Sequence, residues 1–252
     1  MNYLNKCFKE KHNIDHYNNL RKAFLESIHL FSREDKYFIF NDMLSWCILK
    51  QQEGNTGYIG EELDVIKLML EHQCLTGSET EPMNIIFFRN VIFTALDLNE
   101  LDWIENFITE SINNLSPQFR ENMRYYSFIY IEYHKKNFEK CMEYFSYLKL
   151  ENSIFKRDLR ILMLKVYYEL NYYENALYLL DSTRHLLSGS REISQTHKLR
   201  DSNFTKFYKK LLKITKDTDA SEIELLKKNI LNEVNVESKS WLMRKTEEKS
   251  RR

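Results

Sequence analysis

The sequence predicts an all-α protein built from antiparallel helix pairs. Two observations carry this reading. The first is a set of apolar columns that recur every 35 residues between Asn84 and Ser188: Trp103, Phe138 and Tyr173; Leu98, Tyr133 and Tyr168; Phe107, Met142 and Leu177; Val91, Tyr126 and Ile161. Self-similarity at such a period marks a repeat architecture, in which each helix pair buries its apolar face only against its neighbours. The second is the scarcity of helix breakers: 252 residues contain five Gly and two Pro. β-Proteins need frequent turns, so long stretches without breakers favour helices.

The breakers that exist punctuate the chain. Tyr17 to Phe31 has helical spacing of Leu20, Phe24, Ile28 and Phe31. Ser32-Arg33-Glu34-Asp35 resembles a capping box opening a helix from Arg33 to about Gln52, although the short Asp35 carboxylate reaches back imperfectly. Glu53 to Gly60 holds three glycines and reads as a loop, and Glu61 to Cys74 returns to helix. Pro82 suits the first turn of a helix to Leu98, because a missing N–H costs nothing there. Three regular pairs follow: 82–98 with 100–115, 117–135 with 138–150, and 153–170 with 172–187. Ser116 is placed to cap the second pair, and Gly189 to stop the last helix. Links of one or two residues force the paired helices to lie antiparallel. Ile193 to Lys216 and a helix begun by Asp219 then read as a cap, onto which Trp241-Leu242-Met243 docks, with Lys249 to Arg252 frayed. The expected organisation is an N-terminal segment (1–32), an array (33–188, pairs 33–74, 82–115, 117–150 and 153–187) and capping helices with a charged tail (189–252).

Composition narrows the class. Aromatics make up 14% of the chain and charged residues 29%, with a mean hydropathy of −0.55, which fits an ordered soluble protein. The 37 basic and 37 acidic residues cancel, leaving no whole-molecule field to draw in nucleic acid or an anionic membrane. Cys7, Cys47, Cys74 and Cys141 form no CxxC pair and read as buried thiols of a reducing compartment. No apolar region follows Lys6, Lys9 and Lys11, and the longest apolar run, Ile85 to Phe88, is far below the ~20 residues of a membrane span. The expected location is the cytoplasm, with no membrane partner.

The columns resemble tetratricopeptide repeats, in which an aromatic opens the second helix of each unit and a small residue follows three positions later. Tyr173 with Ala176 and Phe138 with Cys141 match; Trp103 with Asn106 does not. The family's small residue within the first helix falls on Thr94, Ile129 and Leu164, two of which are large. The resemblance covers Asn84 to Leu187 and implies a right-handed α-solenoid of roughly five helix pairs. Arg33-Glu34-Asp35-Lys36-Tyr37, Arg120-Glu121-Asn122-Met123, Tyr167-Tyr168-Glu169-Leu170 and Trp241-Leu242 are also similar to an uncharacterised bacterial family of helical-repeat proteins. That likeness implies an architecture, with this chain a short version at its N-terminus, and no mechanism.

Catalytic signatures are not found. His72 and Cys74 are two apart, about 200° around a helix, and no HExxH set exists, so no metal or cofactor is expected. Gly54, Gly57 and Gly60 lack the Lys and Ser/Thr of a phosphate loop. Acidic pairs such as Glu61 with Glu62 read as solvated faces. Lys206, Lys209, Lys210, Lys213 and Lys216 make one basic helix, but Asn90, Tyr125 and Arg160 share no chemistry, so no repeated nucleic-acid code is present. The remaining surface is the wall formed by the first helices, where Arg89, Tyr130, His134, Lys165 and Glu169 are not needed for packing. A groove mixing aromatics and charges suits an extended peptide or a partner helix. The expected function is a non-enzymatic protein-interaction scaffold or adaptor. The alternatives are a peptide- or ligand-sensing regulatory module and, less favoured, an RNA-binding repeat protein.

Overall fold

In the computed structural model, which describes residues 14–149 and 152–251, five helices end in the same way. Asn99, Lys136 and Asn171 take left-handed φ values of 59°, 62° and 59°. The next residue's N–H then returns to the carbonyl five positions earlier: Glu100 to Ala95 at 2.9 Å, Asn137 to Glu132 at 2.8 Å and Tyr172 to Tyr167 at 2.8 Å. This Schellman geometry satisfies the final carbonyls and turns the chain back within two residues. Gln73 (φ 54°) and Gly54 (φ 93°) end their helices with the same bonds.

Twelve α-helices and two short 3-10 segments form, with no strand among the described residues. The chain divides into two compact units, Met1–Ser127 and Phe128–Arg252, a division that falls inside a helix. The first unit holds α1 (Ile14–Glu26), α2 (Arg33–Gln52), α3 (Tyr58–Glu71), α4 (Ile85–Asp97), α5 (Leu101–Ser111) and the start of α6 (Pro117–His134). The second continues with α7 (Phe138–Tyr147), α8 (Ser153–Glu169), α9 (Tyr173–Gly189), α10 (Gln195–Leu212), α11 (Ala220–Asn232) and α12 (Lys239–Ser250).

The first helices keep the 35-residue step. Val91, Tyr126 and Ile161 are all buried, as are Thr94, Ile129 and Leu164. The second helices do not keep it between the first two pairs. Their starts are Leu101, Phe138 and Tyr173, steps of 37 and then 35 residues. The cause is α4, which runs two residues less beyond its buried column than α6 and α8 do. Leu101 therefore occupies the place of Phe138 and Tyr173, and Trp103 is displaced to the third position of α5. Its ring is part-buried, stacked on Phe107 at 5.3 Å with Lys67 5.6 Å above it. Realigned, the position three residues in is Ile104, Cys141 and Ala176, all fully buried. Leu98 and Leu177, expected inside, are exposed.

Local signals resolve in physical detail. The Ser32 hydroxyl oxygen accepts the Asp35 N–H at 3.1 Å. The Asp35 carboxylate takes the Ser32 hydroxyl, not its backbone N–H, as a short side chain must. Asn84 caps α4, accepting Ile86 N–H at 2.7 Å, so Pro82 lies before the helix and not in its first turn. Gly60 lies within α3, and Gly189 is the last helical residue and not a stop beyond it. Lys249 is helical and donates to the Ile214 carbonyl at 3.3 Å, so the tail is ordered to that point.

In the first unit, Trp46 stacks on Tyr17 at 5.7 Å and Phe24 meets Phe40 edge-on at 5.0 Å. The buried Glu62 joins three helices, accepting from Gln51 of α2 at 2.6 Å and Thr94 of α4 at 3.2 Å. In the second unit, Trp241 of α12 packs parallel to Tyr208 at 5.9 Å and edge-on to Tyr168 at 5.3 Å. Trp241 and Leu242 dock as expected, 5% and 0% exposed.

Candidate functional site

The five expected contact residues fall in both units. Arg89 belongs to the first, where its guanidinium lies 4.4 Å from the Phe93 ring and donates to Asn90 at 2.9 Å. Tyr130, His134, Lys165 and Glu169 belong to the second. Tyr130 is only 9% exposed and serves the core. His134 keeps part of its surface open, and desolvation of the rest together with the nearby Lys165 charge holds its imidazole below the usual range. Lys165 stands 6.0 Å from the Tyr133 ring. Burial lowers its ammonium pKa to about 8, with Glu237 opposing the shift and Arg244 adding to it. Glu169 accepts the Trp241 indole N–H at 3.3 Å and pairs with Lys245 at 2.9 Å. It therefore fastens α12 and is not a free groove acid.

Sequence reasoning missed a cleft within the first unit. The segment between α3 and α4 crosses this unit's surface with a hollow on either side, of about 670 Å³ and 780 Å³. Leu75, Thr76, Glu81, Pro82 and Ser116 line both, so the hollows adjoin. Arg33, Glu79 and Arg120 also line the smaller one; Tyr37, Ile85, Ile86, Phe87 and the exposed Phe119 also line the larger.

Two arginines set its walls. Arg33 donates to the Thr76 carbonyl at 3.2 Å and the Thr76 hydroxyl at 3.1 Å, holding the crossing segment against α2. Arg120 reaches back from α6 to the carbonyls of Leu115 (2.9 Å) and Asn113 (2.8 Å), closing the end of the preceding 3-10 segment. Met83 N–H donates to the Asn114 carbonyl at 2.7 Å, tying the two loops together. At Gly77 an added Cβ would meet the Tyr37 ring at 3.3 Å, a close approach that suits glycine. Signals for this cleft exist in the sequence only as polar breaks at 76–81 and 113–116.

Cys47, Cys74 and Cys141 are buried, which raises their thiol pKa values to about 12, 11 and 12. Cys7 lies outside the described residues. Among the described residues, no group of three His, Cys, Asp or Glu is placed to hold a metal ion. No helix among them is long and apolar enough to cross a membrane. No family model, curated protein or solved structure matches the chain.

Proposed function

We propose that this chain is a non-enzymatic protein-interaction module, and that the cleft of its first unit takes an extended segment of a partner protein. The observation that carries this reading is the pair of adjoining hollows, one lined by aromatic and aliphatic side chains and the other by charged and polar ones. Each lies in the volume range of ligand sites, and together they offer both apolar and polar contacts. Rigid walls help: a pre-ordered cleft spends less of its contact energy on ordering itself. This reading takes the chain as a tetratricopeptide-like, right-handed solenoid of the bacterial cytoplasm, an adaptor that works by presenting such a surface.

The test is selection of binding peptides from a random displayed library, followed by titration against variants. Phe119→Glu, in the cleft lining, abolishes binding; Tyr178→Glu, on the exposed face of α9, leaves it unchanged. Failure to select any peptide, or equal loss in both variants, overturns the proposal.

A further inference from the structure

The zero net charge of the chain conceals a segregation. Residues 1–127 hold 12 Lys and Arg against 19 Asp and Glu; residues 128–252 hold 25 against 18. The units therefore carry about −7 and +7, and the expectation that no field exists fails at the level of each unit. Within the second unit the excess is most concentrated at one end of α10. From Ser202 to Lys216 there are five lysines and no acid. Lys206, Lys209 and Lys210 lie in the last two turns, Lys213 caps the helix and Lys216 follows. The intervening Phe204, Phe207, Tyr208, Leu211 and Ile214 are buried, so the packing of this one helix drives all the amines outward. Four of the lysines are exposed and Lys209 is half-buried, and among the described residues none of the five makes an ion pair. Glu222 shares a shallow hollow with Lys210 and Lys213 but does not pair with either.

One or two cations offset the negative end of a helix dipole. Five exceed that need, and no carboxylate among the described residues pairs with any of them. Successive amines three or four residues apart are ~4.5–6 Å apart along the axis, a ladder suited to a polymer of regularly spaced negative charge. We infer that the lysine ridge of α10 is a contact surface for the phosphodiester backbone of a nucleic acid strand. No exposed aromatic lies among the five lysines, so the ridge lacks stacking platforms and reads charge, not base identity. The ridge lies in the second unit and the cleft in the first, so the two proposals stand or fall separately.

The test is fluorescence anisotropy of the full chain with a labelled 20-nucleotide oligouridylate across a potassium chloride series. Three to five phosphate contacts give a log–log salt slope of about −2 to −3.5. Lys210→Gln with Lys213→Gln reduces the slope's magnitude by about 1.4, while the exposed Lys140→Gln on α7 leaves it unchanged. Oligothymidylate binds equally. No binding at 25 mM salt, an equal effect of the Lys140 change, or binding only to anionic phospholipid vesicles overturns the inference.

Discussion

Arg157 and Asp201 form a bidentate pair inside the second unit, with Nε and Nη2 each 2.6 Å from a carboxylate oxygen. Asp201 is fully buried and Arg157 nearly so. The same guanidinium serves Asp158 at 3.2 Å and Glu237 at 2.9 Å. Burial raises the Asp201 carboxyl above the usual range, with Arg157 opposing the shift. Removing Asp201 takes away the bidentate partner but leaves Arg157 with Asp158 and Glu237, so Asp201→Ala costs ~2–3 kcal/mol by denaturant unfolding. Arg157→Ala costs more, ~3–5 kcal/mol, because it leaves the fully buried Asp201 without its bidentate partner, whereas Glu237 keeps Arg200. An Arg157 variant milder than the Asp201 variant contradicts this wiring.

The tryptophans separate by burial. Trp241 is 5% exposed in an aromatic cluster and its indole is hydrogen-bonded, so Trp241→Ala costs ~3–5 kcal/mol. Trp103 rests part-exposed on Phe107, and Trp103→Ala costs only ~1–2 kcal/mol. Thermal melts of the two variants give the order directly.

Lys136 takes a left-handed conformation that only glycine adopts without penalty, and its side chain is exposed. Lys136→Gly therefore stabilises by ~0.5–1 kcal/mol, while Lys136→Ala, which keeps a Cβ, gives no such gain. Calorimetry of the pair checks the turn geometry.

Lys165 supplies a pH test. Its folded pKa of about 8 lies below its unfolded value, so the charged form is disfavoured in the fold. The penalty is complete below pH 8 and disappears as pH rises towards the unfolded value near 10.5. Wild-type stability gains from that side chain as pH rises through this window. Because the group is part-exposed, Lys165→Met stabilises by only ~1 kcal/mol at pH 7. The gain shrinks to nothing near pH 10.5. A gain independent of pH would assign the effect to packing alone.

Much of the helical layout was legible because its signals are local. Ser32 and Asp219 mark helix starts, and both accept the expected backbone N–H groups. The phase of the second helices was not, because the columns were aligned on rings. Asn99 and Asn171, residues prone to left-handed φ, are 72 apart and mark equivalent turns correctly; Trp103 and Tyr173 are 70 apart and do not. The cleft was hidden because Arg33 fixes Thr76 across 43 positions, and no local pattern announces such a bond. Among the expected contact residues, Glu169 was misread for a similar reason. Its partners Trp241 and Lys245 lie more than 70 residues onward.

The most direct measurement is backbone amide NMR of the full chain during titration with a library-selected peptide. Shifts concentrated at residues 75–87 and 116–120 are the expected result. Shifts confined to residues 128–252, or none at saturating peptide, would contradict the account.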